Sequence, residues 1–138
     1  MKQTIDMKCM RYLNLFERVT GVKTKNCLFY NNMIIIAVPP RFVSKAIGEK
    51  GKNIKKLVPI LGKKIKVIAL PNDISDAEKF ISDIVSPTTF KSLEITEREI
   101  VITAGKENKA ALIGRNKVRF EELRKIVKEY FGKDLKIV

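Results

Sequence analysis

The period of apolar and polar positions changes along this chain, and the changes come twice in the same order. Across residues 5–20, Ile5, Cys9, Leu13 and Phe16 recur at helical spacing with Tyr12 and Val19 alongside, and Gly21 supplies a stop. Residues 27–30 and 33–38 are β-rich runs separated by Asn31-Asn32, a pair suited to a hairpin turn, and Pro39-Pro40 ends the second run. Residues 41–47 predict a short helix, 52–61 a longer one, and 64–70 a strand that alternates apolar with basic positions. Pro59 falls inside the longer helix, which it should kink or shorten. After the break at Pro71-Asn72-Asp73, Ser75 and Glu78 have capping-box spacing at the start of a helix reaching to residue 86. Strands over 91–96 and 100–104, helices over 107–113 and 118–131, and a strand over 135–138 complete the second set.

Each half therefore runs α-β-β-α-α-β, which predicts an α+β fold with a three-stranded sheet packed on helices in each of two tandem domains, 1–70 and 71–138. Sliding the sequence by 66 residues exposes the duplication. The run Met33-Ile34-Ile35-Ile36-Ala37-Val38 falls on Glu99-Ile100-Val101-Ile102-Thr103-Ala104, Ala46-Ile47-Gly48 on Leu112-Ile113-Gly114, and Leu57 on Leu123. A four-residue difference in length then brings Gly62-Lys63-Lys64-Ile65 onto Gly132-Lys133-Asp134-Leu135.

Composition narrows the chemistry. The chain contains no histidine, so Ser-His-Asp and Cys-His catalysis and His-containing zinc sites are excluded. Walker A, Rossmann and HExxH patterns are absent too, and no catalytic activity, cofactor or metal is expected. Two cysteines without a CxxC pair are expected to be reduced and partly buried. No apolar run approaches the roughly 20 residues needed to span a bilayer, and the opening MKQTIDMKC lacks an apolar signal core, so a cytoplasmic protein without membrane contact is expected. With 28 basic and 15 acidic residues the formal charge is +13, which calls for a polyanionic partner.

The chemistry concentrates in the segment Ile47-Gly48-Glu49-Lys50-Gly51-Lys52-Asn53-Ile54. Glycine at both ends of the turn permits backbone angles closed to other residues and lets another chain approach closely. Free amides at the start of the following helix suit phosphate, and Lys50, Lys52, Lys55 and Lys56 add full charges. Ile47, Ile54 and Val67 are candidates for an apolar floor beneath bases, with Arg41 and Lys45 as further contacts. In the second half, Gly114-Arg115-Asn116-Lys117 carries lysine in place of the second glycine, and its side chain is expected to fill space that glycine leaves open. Arg115, Lys117, Arg119 and Lys109 still mark it as a second contact with nucleic acid. Residues 41–56 hold net +5 and residues 105–128 another +5, so the excess charge gathers around the two turns.

The Ile-Gly-x-x-Gly turn in this order of elements resembles the type II (prokaryotic) KH domain, in which such a loop clamps single-stranded backbone. The stretch Arg11-Tyr12-Leu13-Asn14-Leu15-Phe16-Glu17-Arg18-Val19-Thr20-Gly21-Val22, with two KH units and almost no linker, is similar to the archaeal NusA-like transcription factors over essentially the whole chain. That resemblance implies binding of single-stranded RNA over one extended surface and a role in transcription termination or antitermination; a monomer is expected, with RNA polymerase as a further partner. A ribosome-associated or RNA-processing KH protein is the alternative reading. Recognition of duplex DNA is disfavoured, because nothing has the look of a major-groove helix.

Overall fold

The computed structural model describes residues 7–138, so the predicted helix start at residue 5, including Ile5, lies outside the described residues. The chain divides between Leu70 and Pro71 into two compact units. In the first, helix α1 (Met7–Thr20) buries Cys9, Tyr12, Phe16 and Thr20 along one face. It stops at Gly21, whose φ of +75° lets its N–H reach the Glu17 carbonyl at 2.8 Å. The Thr20 hydroxyl seals this end, donating to the Phe16 carbonyl at 2.7 Å and accepting the Val22 N–H at 3.1 Å.

Strands β1 (Asn26–Tyr30) and β2 (Met33–Val38) pair antiparallel, with Tyr30 opposite Met33. Asn31 and Asn32, at φ +51° and +60°, form the two-residue turn whose twist matches that of the strands. Helices α2 (Val43–Ile47) and α3 (Lys52–Leu61) then carry the chain over to β3 (Lys64–Ala69), which lies parallel to β2. From the central strand, Ile34, Ile36 and Val38 meet Cys9, Tyr12 and Phe16 of α1, Ala46 of α2 and Leu57 of α3 in one core. Cys27 joins the same core, and neither it nor Cys9 is in a disulfide.

The second unit repeats the plan with α4 (Ala77–Val85), β4 (Ser92–Ile95), β5 (Glu99–Thr103), α5 (Lys106–Ile113), α6 (Val118–Phe131) and β6 (Asp134–Ile137). Its sheet has the same order and senses, with β5 central, β4 antiparallel and β6 parallel to it. The four-residue difference lies in the helix after the turn, 10 residues in α3 and 14 in α6. Both helices end on a left-handed glycine, Gly62 and Gly132, that returns its N–H to the carbonyl four residues back. Among the described residues no helix is long and apolar enough to cross a membrane.

Two local expectations need correction. Pro59 does not end α3, which runs on to Leu61. It stands in the last turn at an exposed position, and the one helical bond that it removes would have ended on the carbonyl of Lys55, itself an exposed residue that water can satisfy. The Ser75–Glu78 capping box is not formed either. The Asp73 carboxylate accepts the Ser75 N–H at 2.9 Å and also its hydroxyl, so a short 3-10 turn over Ile74–Asp76 precedes α4. Those two bonds hold the Asp73 carboxyl below its ordinary range, and the Asp73 carboxylate takes the Ser75 N–H that the Glu78 side chain would accept in a capping box.

Phe16 and Phe80 are fully buried, one in each unit. Phe16→Ala and Phe80→Ala should each lower stability by about 3–5 kcal/mol, the usual cost of emptying a buried aromatic site. Urea unfolding followed by circular dichroism reads that loss.

Candidate nucleic-acid interface

The two turns have the same backbone. Gly48 stands at φ +81°, ψ 166° and Gly114 at φ +74°, ψ 172°. Two residues on, Lys50 (φ +54°) and Asn116 (φ +56°) are left-handed, and so are Gly51 (φ +74°) and Lys117 (φ +62°) at the fourth position. Lysine at the fourth position therefore leaves the turn's path unchanged. A Cβ built on Gly51 meets nothing within 4 Å, so the side chain of Lys117 displaces no neighbour in the equivalent place, and what it costs is backbone strain.

The first glycine is a different matter. A Cβ on Gly48 would fall 2.9 Å from Asn53 Nδ2, and one on Gly114 would fall 2.9 Å from Arg119 Cγ. Real Cβ atoms do not approach that closely, so the turn closes only because both positions lack one. The two crowding side chains are themselves equivalent, five residues past the glycine. Buried Asn53 donates through Nδ2 to the carbonyls of Lys45 and Ala46, both at 3.1 Å. Arg119 donates through Nη1 to Ala111, the counterpart of Lys45, at 3.1 Å. In each unit a side chain from the first turn of the long helix thus satisfies carbonyls at the end of the short helix before it, tying the two together across the turn. Asn53 was not among the expected site residues. Its trace in the sequence is the 66-residue offset, which lays one hydrogen-bonding side chain on another just before Ile54 and Phe120.

Around these turns Glu49, Lys50, Lys52, Lys55, Arg115, Asn116 and Lys117 are exposed, and Lys109 is half-buried. The three ion pairs found among the described residues involve none of these cations. Arg41 is exposed and stacks its guanidinium over the Phe42 ring, 4.8 Å from the centroid. Exposed Lys45 lies against Gly21 at the C-terminal end of α1, where the helix dipole favours a cation. One nitrogen of Arg119 is committed to the turn. No side chain caps the start of α3 or of α6.

Of the expected apolar floor, Ile54 and Val67 come together as partly buried residues on the core of the first unit. Ile47 stands half-buried at the end of α2, apart from the residues packed on that core. Along α6, Arg124 is bound to Asp134 at 2.8 Å and to Glu121 at 3.6 Å. That contact holds the Asp134 carboxyl below its usual range and makes Arg124 the least available of the basic residues in its stretch.

Gly48→Ala should cost distinctly more than Gly51→Ala, because the first adds a collision to the left-handed strain and the second adds only strain, about 1–2 kcal/mol. Asn53→Ala should cost about 1–3 kcal/mol by stranding buried carbonyls. Thermal melts of the three variants test the order.

No family model matches the chain. It is 24% identical over 137 residues to a protein of Halococcus morrhuae described as "Probable transcription termination protein NusA", covering 97% of this chain and 96% of that one. A protein of Methanococcus vannielii with the same description is 31% identical over 75 residues, 54% of this chain and 42% of the other. Among solved structures, the crystal structure of APE1850 superposes with a TM-score of 0.69 at 28% identity, over 97% of this chain and all of that one.

Proposed function

We propose that this protein binds single-stranded RNA through two KH-type units of the type II arrangement and acts as a NusA-like transcription factor, in termination or antitermination. One observation carries the reading: a single turn geometry, built twice, each time between two helices and each time beside exposed cations outside the ion pairs found among the described residues. A phosphodiester backbone suits such a site. It offers an anion at each step of the chain and needs donors and cations rather than a deep pocket. The similarity over nearly the whole length to a protein described as a probable transcription termination protein supports the biological setting, and RNA polymerase is the further partner of this proposal.

In this reading Lys50, Lys52 and Lys55, with the uncapped amides at the start of α3, hold phosphates. Ile54 and Val67 give the bases an apolar surface, and Arg41 and Lys45 extend the positive ground. The protein is a binding module without catalytic chemistry of its own. Its recognition is of single strands because a turn flanked by half-exposed aliphatic residues accepts unstacked bases, which a duplex does not present.

Lys50→Asp is the direct test. Aspartate tolerates the left-handed conformation of this position, so the turn survives the change. A hydrogen bond to a charged group contributes about 1.5–3 kcal/mol, so binding to single-stranded RNA should weaken about tenfold or more. The thermal melt should stay where it is. Equal binding by wild type and variant, measured by fluorescence anisotropy across a salt series, would sink the proposal.

A further inference from the structure

The second turn has lost a glycine, and by motif alone it would pass for a worn copy of the first. The geometry points to the opposite conclusion: the turn Gly114–Lys117 is a phosphate-binding site in its own right, and its contacts are the side chains of Lys117 and Arg115. This inference rests on the RNA-binding reading above and says how the second unit takes part in it.

Lys117 holds a left-handed backbone at φ +62°, directly after Asn116 at φ +56°. Left-handed angles disfavour any residue with a Cβ, and glycine in the same place in the first turn avoids that strain. Such strain persists where something repays it. Nothing within the unit does so here: the Lys117 side chain is exposed and takes part in none of the ion pairs or side-chain hydrogen bonds found among the described residues. What Lys117 gains over glycine is a cation held at a fixed point of the turn and directed at solvent.

The distribution of charge shows why the second unit needs one there. In the first unit the turn itself is neutral, Glu49 offsetting Lys50, and the cations follow along α3 as Lys52, Lys55 and Lys56. The equivalent positions of α6 are Val118, Glu121 and Glu122, so that helix offers no cation in its opening turn apart from the committed Arg119. Its turn instead carries net +2, from Arg115 and Lys117. The positive charge has moved from the helix onto the turn while the backbone has stayed the same. The second site is therefore a compact pair of side-chain cations, suited to one phosphate or two adjacent ones.

Full-length wild type, Lys117→Gly, Arg115→Gln with Lys117→Gly, and Lys50→Asp decide the matter against a labelled random-sequence single-stranded RNA. The affinity is read across a salt series and each protein is melted. Each phosphate contact removed from a single strand should flatten the dependence of log K on log salt by about 0.7. We expect a flattening of about 0.7 for Lys117→Gly and about 1.4 for the double variant. Affinity should fall several-fold in each, with a melting temperature no lower than that of wild type. Wild-type slope and affinity in both variants, while Lys50→Asp loses binding, would overturn this assignment and leave the RNA-binding reading standing. A lower melting temperature in Lys117→Gly would show that the lysine serves the fold, and would overturn it too. If wild type itself fails to bind the RNA, both readings fall together.

Discussion

Each turn exists because a side chain reaches backwards. Asn53 and Arg119 stand at the start of a long helix and donate to carbonyls at the end of a short one. The chain between them must then double back so tightly that the first turn residue has no room for a Cβ. The remaining features of the site follow from that closure. It sets the left-handed angles of the third and fourth turn residues and leaves the residues between the helices facing solvent. A short helix of five residues, too short to hold itself, gains from the same tie a fixed end on which Ile47 and the turn can rest.

Glycine plays two roles in this motif, and the second unit separates them. At the first position the constraint is space, and both units obey it. At the fourth the constraint is only dihedral, and a lysine can meet it under strain. A motif written as two glycines treats these positions alike. Physically they are unlike: substitution at one breaks the packing of a helix junction, and substitution at the other changes what the turn displays.

Much of this was legible in the chain itself. The strand over Met33–Val38 and the helices over Lys52–Leu61 and Val118–Phe131 follow directly from apolar period and from the glycines and prolines that bound them. The 66-residue offset reported the duplication because sheet register and helix faces constrain the same apolar positions in both halves. Less legible were the details set by competition between neighbours. Ser75 had the spacing of a cap, but a carboxylate two residues earlier takes the amide. Pro59 had the look of a helix breaker, yet a proline in the last exposed turn removes a single bond. The Asn53 clamp could not be read from one half alone, since an asparagine on a helix is more often solvated than buried. For the site residues, sequence located the cations but not their commitments, and Arg119 proves to have one nitrogen tied to the protein itself.

The two long helices differ by four residues, and that number is not arbitrary. An α-helix turns once in about 3.6 residues, so adding four advances the chain by little more than one full turn and returns the buried stripe almost to its former bearing. Adding one or two would swing the stripe roughly 100–200° away from the sheet. It would carry polar positions into the core and throw the parallel strand that follows out of register. Length change between these duplicated units is in effect quantised. A lineage that tinkers with this helix can add or remove whole turns, lengthening one arm of the unit, while the junction at its start and the strand at its end stay in step.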